Sequence, residues 1–225
     1  MKTFSFIFLL FTVGILHAQD DPLAAAQTKL EAKDYIGANV ALKKIMDSSP
    51  RNKQAYNLRG LARLGMNDFY GAIGDFNIAI EIDSTFADAW NNRGEAKMAL
   101  GDDEAAIIDF DKATKFNPKF VVAYTNRGLA KYNLEDLQGA YFDFSKALEL
   151  GPPDADKYFN RGVTKAELGE FISAIDDYTK ALSFETKDPS LYNYRGVAQY
   201  NVGNLDQAIS DYNEAIKLDP KDGQV

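Results

Sequence analysis

The sequence predicts an all-α protein that is built from six copies of a two-helix repeat. Glycine recurs every 34 residues, at Gly60, Gly94, Gly128, Gly162 and Gly196. An alanine follows each of these glycines twelve residues later, at Ala72, Ala106, Ala140, Ala174 and Ala208. Apolar residues recur at helical spacing on both sides of a break within each copy. Self-similarity at a fixed period of this size is typical of solenoid proteins, which stack one supersecondary unit many times.

The repeats divide residues 19–222 into six segments without a net insertion. Their predicted bounds are 19–52, 53–86, 87–120, 121–154, 155–188 and 189–222, and residues 223–225 form a short tail. In the third repeat, the first helix is predicted over about 89–100 and ends at Gly101. The second is predicted over about 104–116 and ends before Pro118, because proline disfavours helix in the residue that precedes it.

Residues 1–18 have the pattern of a secretory signal peptide. Lys2 supplies a positive charge, residues 4–16 are almost wholly apolar, and the small residue Ala18 precedes the predicted cleavage point. An uncleaved membrane anchor is the alternative, although the apolar run is shorter than the roughly 20 residues that span a bilayer. The leader predicts an exported protein, periplasmic or secreted and bacterial, without a stable membrane span once the leader is removed.

Composition argues against several classes of function. The chain carries 33 acidic and 25 basic residues, and an acidic protein repels a phosphate backbone, so no nucleic-acid partner is expected. It contains no cysteine, and its single histidine, His17, lies in the predicted leader. Histidine-based triads, thiol nucleophiles and the usual zinc sites are therefore excluded from the mature chain. No phosphate-binding or dinucleotide-binding glycine motif occurs. We expect no enzymatic activity, no cofactor and no metal, with a carboxylate-only active site as the alternative.

The residues that repeat follow a recognisable order of aromatic, glycine, alanine, aromatic, alanine and proline. In the third repeat these residues are Trp90, Gly94, Ala106, Phe110, Ala113 and Pro118. This pattern resembles the tetratricopeptide repeat family over essentially the whole chain after the leader. The resemblance implies a right-handed superhelical solenoid of helix-turn-helix repeats, whose first helices line a concave groove and which binds peptides or proteins. The first repeat departs from the pattern, because Pro22 replaces the aromatic residue and Ala26 the glycine.

An arginine precedes each repeated glycine, and an aspartate follows each arginine sixteen residues later. The pairs are Arg59 and Asp75, Arg93 and Asp109, Arg127 and Asp143, Arg161 and Asp177, and Arg195 and Asp211. Residues sixteen apart can face each other across a helical hairpin, so the spacing predicts structural ion pairs within each repeat or between neighbouring repeats. A basic stripe for an anionic ligand is the alternative interpretation.

Asparagine precedes the arginine in three repeats, at Asn92, Asn126 and Asn160. By resemblance this position faces the concave groove, where an asparagine amide can pair with both the N–H and the C=O of an extended peptide. Ordinary surface asparagine is the alternative. Further residues assigned to the peptide-binding groove are Asn57, Asn91, Glu95, Asn193 and Tyr194.

The predicted function is that of an exported scaffold for protein–protein interaction, which binds an extended polypeptide in its groove. The lysines with which related co-chaperones clamp a terminal carboxylate are missing, so binding of chaperone tails is not expected. The alternative is an assembly subunit of a cell-envelope complex that docks through its convex face or its last repeat. Association of the last repeat with a second copy would make a homo-oligomer.

Overall fold

Each repeat folds as two helices joined by a tight turn. The computed structural model describes residues 21–184 and 187–220, and all twelve elements assigned there are α-helices. The chain divides into two compact units, residues 1–102 and 103–225. The prediction of an all-α protein made of helical repeats is confirmed. The predicted leader, 1–18, and the predicted tail, 223–225, lie outside the described residues.

The first unit holds five helices. They are α1 (Pro22–Glu31), α2 (Tyr35–Ser48), α3 (Lys53–Gly65), α4 (Phe69–Ile82) and α5 (Ala87–Ala99). Helices α1 and α2 form the first pair and α3 and α4 the second, while α5 packs on α4 and also contacts α3.

The second unit holds seven helices. They are α6 (Asp103–Phe116), α7 (Val121–Asn133), α8 (Leu137–Leu150), α9 (Ala155–Glu167), α10 (Phe171–Leu182), α11 (Pro189–Asn201) and α12 (Leu205–Leu218). Each helix packs on the next, and α9 also contacts α7 and α11.

The turn inside each repeat places one residue in the left-handed region of backbone space. These residues recur every 34 positions, at Lys33, Asn67, Gly101, Glu135, Gly169 and Gly203. In the first, second and fourth repeats the turn is followed by an aspartate whose side chain caps the second helix. Asp68 Oδ1, for example, accepts the Gly71 N–H at 3.0 Å. An N-cap of this kind satisfies a backbone donor that the helix itself leaves unpaired.

In the second, fourth, fifth and sixth hairpins, the core is made by small residues packed against one large ring. The repeated glycine lies against the ring sixteen residues later, as Gly128 does against Phe144. A Cβ atom on Gly128 would lie 2.8 Å from that ring. The repeated alanines are buried around the same contact. Glycine therefore permits the close approach of the two helices.

None of the described helices is long and apolar enough to cross a membrane.

Candidate functional site

The first helices of consecutive repeats contact one another and make a continuous surface within each unit. In the first unit this surface is formed by α1, α3 and α5, and in the second by α7, α9 and α11. We call it the first-helix face of that unit. It is the surface that the sequence assigned to ligand binding, so each predicted residue is located on it below.

The predicted arginines and aspartates lie together in four repeats. In the fourth repeat, Arg127 Nε donates to Asp143 Oδ2 at 2.8 Å and Nη2 donates to Oδ1 at 2.5 Å. The same bidentate geometry joins Arg59 to Asp75, Arg161 to Asp177, and Arg195 to Asp211. The four carboxylates are buried, so the arginines are held inside the hairpins by their partners. Arg93 and Asp109 belong to different units, and their pairing stays a prediction.

Three of these aspartates also bind a second cation. The sequence analysis did not identify these second cations. Lys131 Nζ lies 2.8 Å from Asp143 Oδ2, and Lys165 Nζ lies 2.7 Å from Asp177 Oδ2. Arg63 takes the same place in the second repeat, 3.0 Å from Asp75. Each second cation follows the first by four residues on the same helix face, and this spacing is the signal that could have revealed it.

Each arginine outside the second repeat also contacts the preceding repeat. Arg93 Nη1 donates to Asn77 Oδ1 at 2.6 Å, and Arg161 Nη1 donates to Ser145 Oγ at 3.4 Å. Arg127 and Arg195 bond in the same way to the residue sixteen positions earlier. In the fourth, fifth and sixth repeats the guanidinium thus joins its own second helix to the previous one.

An aromatic ring three residues before each arginine completes the surroundings of the guanidinium. Arg93 lies 4.6 Å from the centroid of Trp90, and Arg127 lies 5.2 Å from that of Tyr124. The hydrogen bonds that Arg161 donates to Asp177 raise the pKa of Arg161 further above its ordinary value. Because these side chains already bond protein groups, the alternative of a free basic stripe does not fit the geometry.

The asparagines of the first unit differ from their expected exposure. Asn92 is 9% exposed and Asn57 is 7% exposed, whereas a peptide-binding ladder needs free amides on the surface. Asn92 Nδ2 donates to Asn57 Oδ1 at 3.0 Å, and Asn91 Nδ2 donates to Asn92 Oδ1 at 3.1 Å. The physical reason is the register of the first helices, in which residues 35 positions apart meet between neighbouring helices. Asn57, Asn91 and Asn92 therefore form a buried amide chain, and their role as ligand contacts stays a prediction.

The remaining predicted groove residues lie on the surface to different degrees. Asn126 and Asn160 are half-buried on α7 and α9, and Asn193 is half-buried on α11. Glu95 is exposed on α5, where desolvation by neighbouring protein atoms raises the pKa of its carboxyl above the usual range. Tyr194 is 43% exposed.

In the second unit the same 35-residue register brings two aromatic rings together. Phe159 and Tyr194 meet edge to face with their ring centroids 5.1 Å apart. Tyr178 from α10 packs beneath them, 6.1 Å from each ring. Val197 and Tyr200 continue the exposed surface along α11, at 43% and 63% exposure. We call Tyr194, Val197 and Tyr200 the aromatic patch.

Tyr178 is the large ring of the fifth hairpin and is fully buried. Its hydroxyl has no hydrogen-bond partner among the described residues. Desolvation, with smaller contributions from the neighbouring Tyr194 and Tyr132, raises the pKa of Tyr178 above its ordinary value.

Among residues 21–184 and 187–220, no group of histidine, cysteine, aspartate and glutamate side chains could hold a metal ion.

Family models described as tetratricopeptide repeat match three of the six repeats. The matched residues are 87–120 and 189–222 with one model and 155–188 with another. A comparison with curated proteins finds no match.

Solved structures show the same fold at low sequence identity. PilF of Pseudomonas aeruginosa superimposes with a TM-score of 0.81 at 18% identity, covering 92% of this chain and 95% of that chain. PilW, described as a widely conserved type IV pilus biogenesis factor, gives a TM-score of 0.78 at 20% identity, covering 89% of this chain and 93% of that chain. YrrB, described as a TPR protein with an unusual peptide-binding site, gives 0.72 at 20% identity, covering 80% and 93%.

Proposed function

Because the chain is a tetratricopeptide-repeat protein, we propose that it is a non-enzymatic scaffold that binds an extended segment of a partner polypeptide. The proposed binding surface is the first-helix face of the second unit. YrrB, whose fold is similar, is described as having a peptide-binding site, which supports a polypeptide ligand here.

The aromatic patch is the observation that carries this proposal. Tyr194, Val197 and Tyr200 are spaced three residues apart on α11 and expose apolar area side by side. Exposed apolar surface of this kind marks interaction sites on soluble proteins. Tyrosine suits such a surface, because its ring offers apolar contact and its hydroxyl can form a hydrogen bond.

The charges of the same face favour a neutral or basic ligand. Lys131 and Lys165 are bonded to buried aspartates, so the cations of α7 and α9 are directed into the hairpins. Lys157 is bonded to Asp154, the N-cap residue of its own helix. Glu167, at the end of α9, is exposed. Among the described residues of α7, α9 and α11, every cation is paired with a carboxylate, so none would offset this negative charge for an acidic segment.

A peptide-selection experiment tests the proposal. Peptides selected from a random-sequence display library on the wild-type protein are expected to be rich in aromatic or aliphatic residues. Their affinity should fall about tenfold or more with Tyr194→Ala or Tyr200→Ala, since removing a buried aromatic contact costs more than about 1 kcal/mol at an interface hot spot. Tyr70→Ala is the matched control, because Tyr70 is 79% exposed but lies on a second helix of the first unit. Equal losses in all three variants would contradict the proposal.

An assembly role is the second candidate. Each second helix of the second unit exposes at least one large apolar residue, and these include Ile108, Phe142, Ile172 and Ile209. Ile216 is exposed on α12 beside a cavity of about 160 Å³ that Tyr194 and Ala215 also line. Docking of an envelope protein or of a second copy on these surfaces would leave peptide affinity unchanged in the Tyr200→Ala variant. A mass that rises with concentration in light scattering would identify a homo-oligomer.

Export belongs to the same proposal. The pattern of residues 1–18 supports it, and the expected mature chain begins at Gln19. Amino-terminal sequencing of the protein recovered from the envelope fraction tests it. Recovery of the uncleaved chain from the cytoplasm would overturn it.

A further inference from the structure

Four rings and one carboxylate converge on the first-helix face of the second unit. Phe159 on α9 and Tyr194 on α11 meet edge to face, and the buried ring of Tyr178 lies beneath both. Tyr132 on α7 and Glu167 on α9 have the same spacing of 35 residues that brings Phe159 and Tyr194 together. We call these five residues the tyrosine–glutamate cluster.

The hydroxyl of Tyr178 is directed toward the first helices of this cluster. Desolvation raises the pKa of Tyr178 most, and the nearby groups of Tyr194 and Tyr132 raise it further. Glu167 also raises the pKa of Tyr178, and it adds to the effect of desolvation on the pKa of Tyr132. Charges act in this way over short distances only. Because all three groups belong to first helices, the hydroxyl lies under the first-helix face.

The same hydroxyl is not needed for the packing of the hairpin. Phenylalanine occupies the equivalent buried position in the second, third and fourth repeats, at Phe76, Phe110 and Phe144. The hydroxyl of Tyr178 is buried and has no hydrogen-bond partner among the described residues. A buried polar group of this kind costs free energy until a ligand or a water molecule bonds it. A ligand contact is a use for the hydroxyl that packing does not supply.

The charge of the cluster favours a cation as that ligand. Glu167 is exposed and forms no ion pair among the described residues, and the cations of α7, α9 and α11 are bonded to other carboxylates. An aromatic ring attracts an ammonium group that lies over its face within about 6 Å of its centroid. Tyr132 and Phe159 are half-buried and Tyr194 is 43% exposed, so all three rings retain accessible surface.

We propose that the tyrosine–glutamate cluster binds a lysine side chain of the partner polypeptide. The ammonium lies between the rings of Tyr132 and Tyr194 and pairs with Glu167, and it donates a hydrogen bond to the hydroxyl of Tyr178. Lysine suits the cluster because a compact ammonium can direct its three donors to separate acceptors. The exposed ring of Tyr194 rotates to admit the ammonium to the hydroxyl.

The inference rests on the proposed function, because it requires a polypeptide ligand on the first-helix face of the second unit. It adds the identity of one anchoring residue. The aromatic patch takes the apolar residues of the segment, and the neighbouring cluster takes its lysine.

Peptide titration followed by NMR tests the inference. The probes are acetyl-alanyl-leucyl-lysyl-leucyl-alaninamide and the same peptide with norleucine in place of lysine, which keeps the aliphatic chain and removes the charge. The lysine peptide is expected to bind about tenfold more tightly, because the rings and the carboxylate both attract the ammonium. It should also shift the ring signals of Tyr132 and Tyr194 and the carboxyl signal of Glu167. Equal affinities, no binding of the lysine peptide, or unmoved signals would overturn the inference.

Two variants separate the ligand contacts from folding. Glu167→Gln changes an exposed side chain and should weaken binding of the lysine peptide about fivefold. Glu104→Gln makes the same change at an exposed position on α6, outside the cluster, and should bind normally. Tyr178→Phe should weaken binding about threefold, through the loss of one hydrogen bond, while it stabilises the protein. A merely structural role for the hydroxyl would leave the affinity unchanged, and wild-type affinity in both cluster variants would overturn the inference.

The inference and the proposed function fail separately. Tyr200→Ala changes the aromatic patch but no residue of the cluster, so this variant should still prefer the lysine peptide over the norleucine peptide. Loss of that preference would contradict binding of lysine at the cluster. If the wild-type protein showed no preference but library-selected peptides still required Tyr200, the inference would be wrong and the proposed function would stand.

Discussion

Arg127 and Asp143 form a bidentate ion pair across the fourth hairpin, with N–O distances of 2.8 and 2.5 Å. Asp143 is fully buried, and Lys131 approaches the same carboxylate at 2.8 Å. Because Arg127 also bonds Asp111 of the preceding second helix, one guanidinium links three helices. We propose that this arrangement stabilises the stacking of the repeats.

Removal of Arg127 should therefore destabilise the protein. Arg127→Ala leaves a buried carboxylate with Lys131 alone, so we expect a loss of about 3 kcal/mol in the free energy of unfolding, at the lower end for broken buried pairs. The Arg127→Ala/Asp143→Ala double variant should lose less than the sum of the single variants, by about 1 kcal/mol or more. Urea denaturation measures all three, and strict additivity would contradict the pairing.

Close packing at the repeated glycine gives a second prediction. Gly128→Ala places a Cβ 2.8 Å from the Phe144 ring and should cost about 1–3 kcal/mol through overpacking. Gly74→Ala is the control, because Gly74 lies inside α4 with no atom within 4 Å of the added Cβ. That change should stabilise the protein by about 0.5–1 kcal/mol through helix propensity. Thermal denaturation of both variants tests whether Gly128→Ala lowers the stability and Gly74→Ala raises it.

The buried hydroxyl of Tyr178 predicts a stabilising change. Since the hydroxyl has no partner among the described residues, Tyr178→Phe removes an unsatisfied polar group and should raise the free energy of unfolding by about 1 kcal/mol. Tyr212→Phe, at the same place in the sixth repeat and only half-buried, should change it little. Destabilisation by Tyr178→Phe in urea denaturation would mean that the hydroxyl is satisfied in solution.

The fifth hairpin should lose stability in acid. Desolvation raises the pKa of Asp177, but the hydrogen bonds from Arg161 and Lys165 outweigh it, and the net pKa lies below its ordinary value of 3.8. A carboxyl whose pKa is lowered by folding contributes stability that is fully present above the unfolded pKa and is lost as the pH falls through the folded pKa.

Stability curves recorded from neutral pH to below pH 3.8 test this contribution. Asp177→Asn should be less stable than wild type at neutral pH and should lose less stability on acidification. Asp176→Asn, which changes an exposed neighbour, should follow the wild-type curve. Parallel curves for wild type and Asp177→Asn would refute the assignment.

The sequence predicted the helical repeats because their spacing is visible in single residue types. Gly128 and Phe144 are sixteen residues apart, as are Arg127 and Asp143, and both spacings reflect one hairpin geometry. The second cation, Lys131, followed the same logic at a spacing of four and could have been found.

The orientation of the asparagine side chains could not be predicted from the spacing of residue types. Whether Asn92 faces solvent or its neighbour depends on the angle between successive first helices, which no residue type marks. Asn57 and Asn92 are 35 residues apart and form a hydrogen bond between neighbouring first helices. Phe159 and Tyr194 are also 35 residues apart, and their rings are in contact. Residues that are 35 positions apart are thus amides in one unit and aromatic residues in the other. The type of side chain therefore does not indicate that these positions are in contact.

Site-specific photo-crosslinking tests the proposed function most directly. A photoreactive amino acid replaces Tyr200 in one variant and Tyr70 in another, and each variant is irradiated with a library-selected peptide. The account predicts that the peptide crosslinks at position 200 and not at position 70. Crosslinking at position 70 alone, or equally at both positions, would contradict binding on the first-helix face of the second unit.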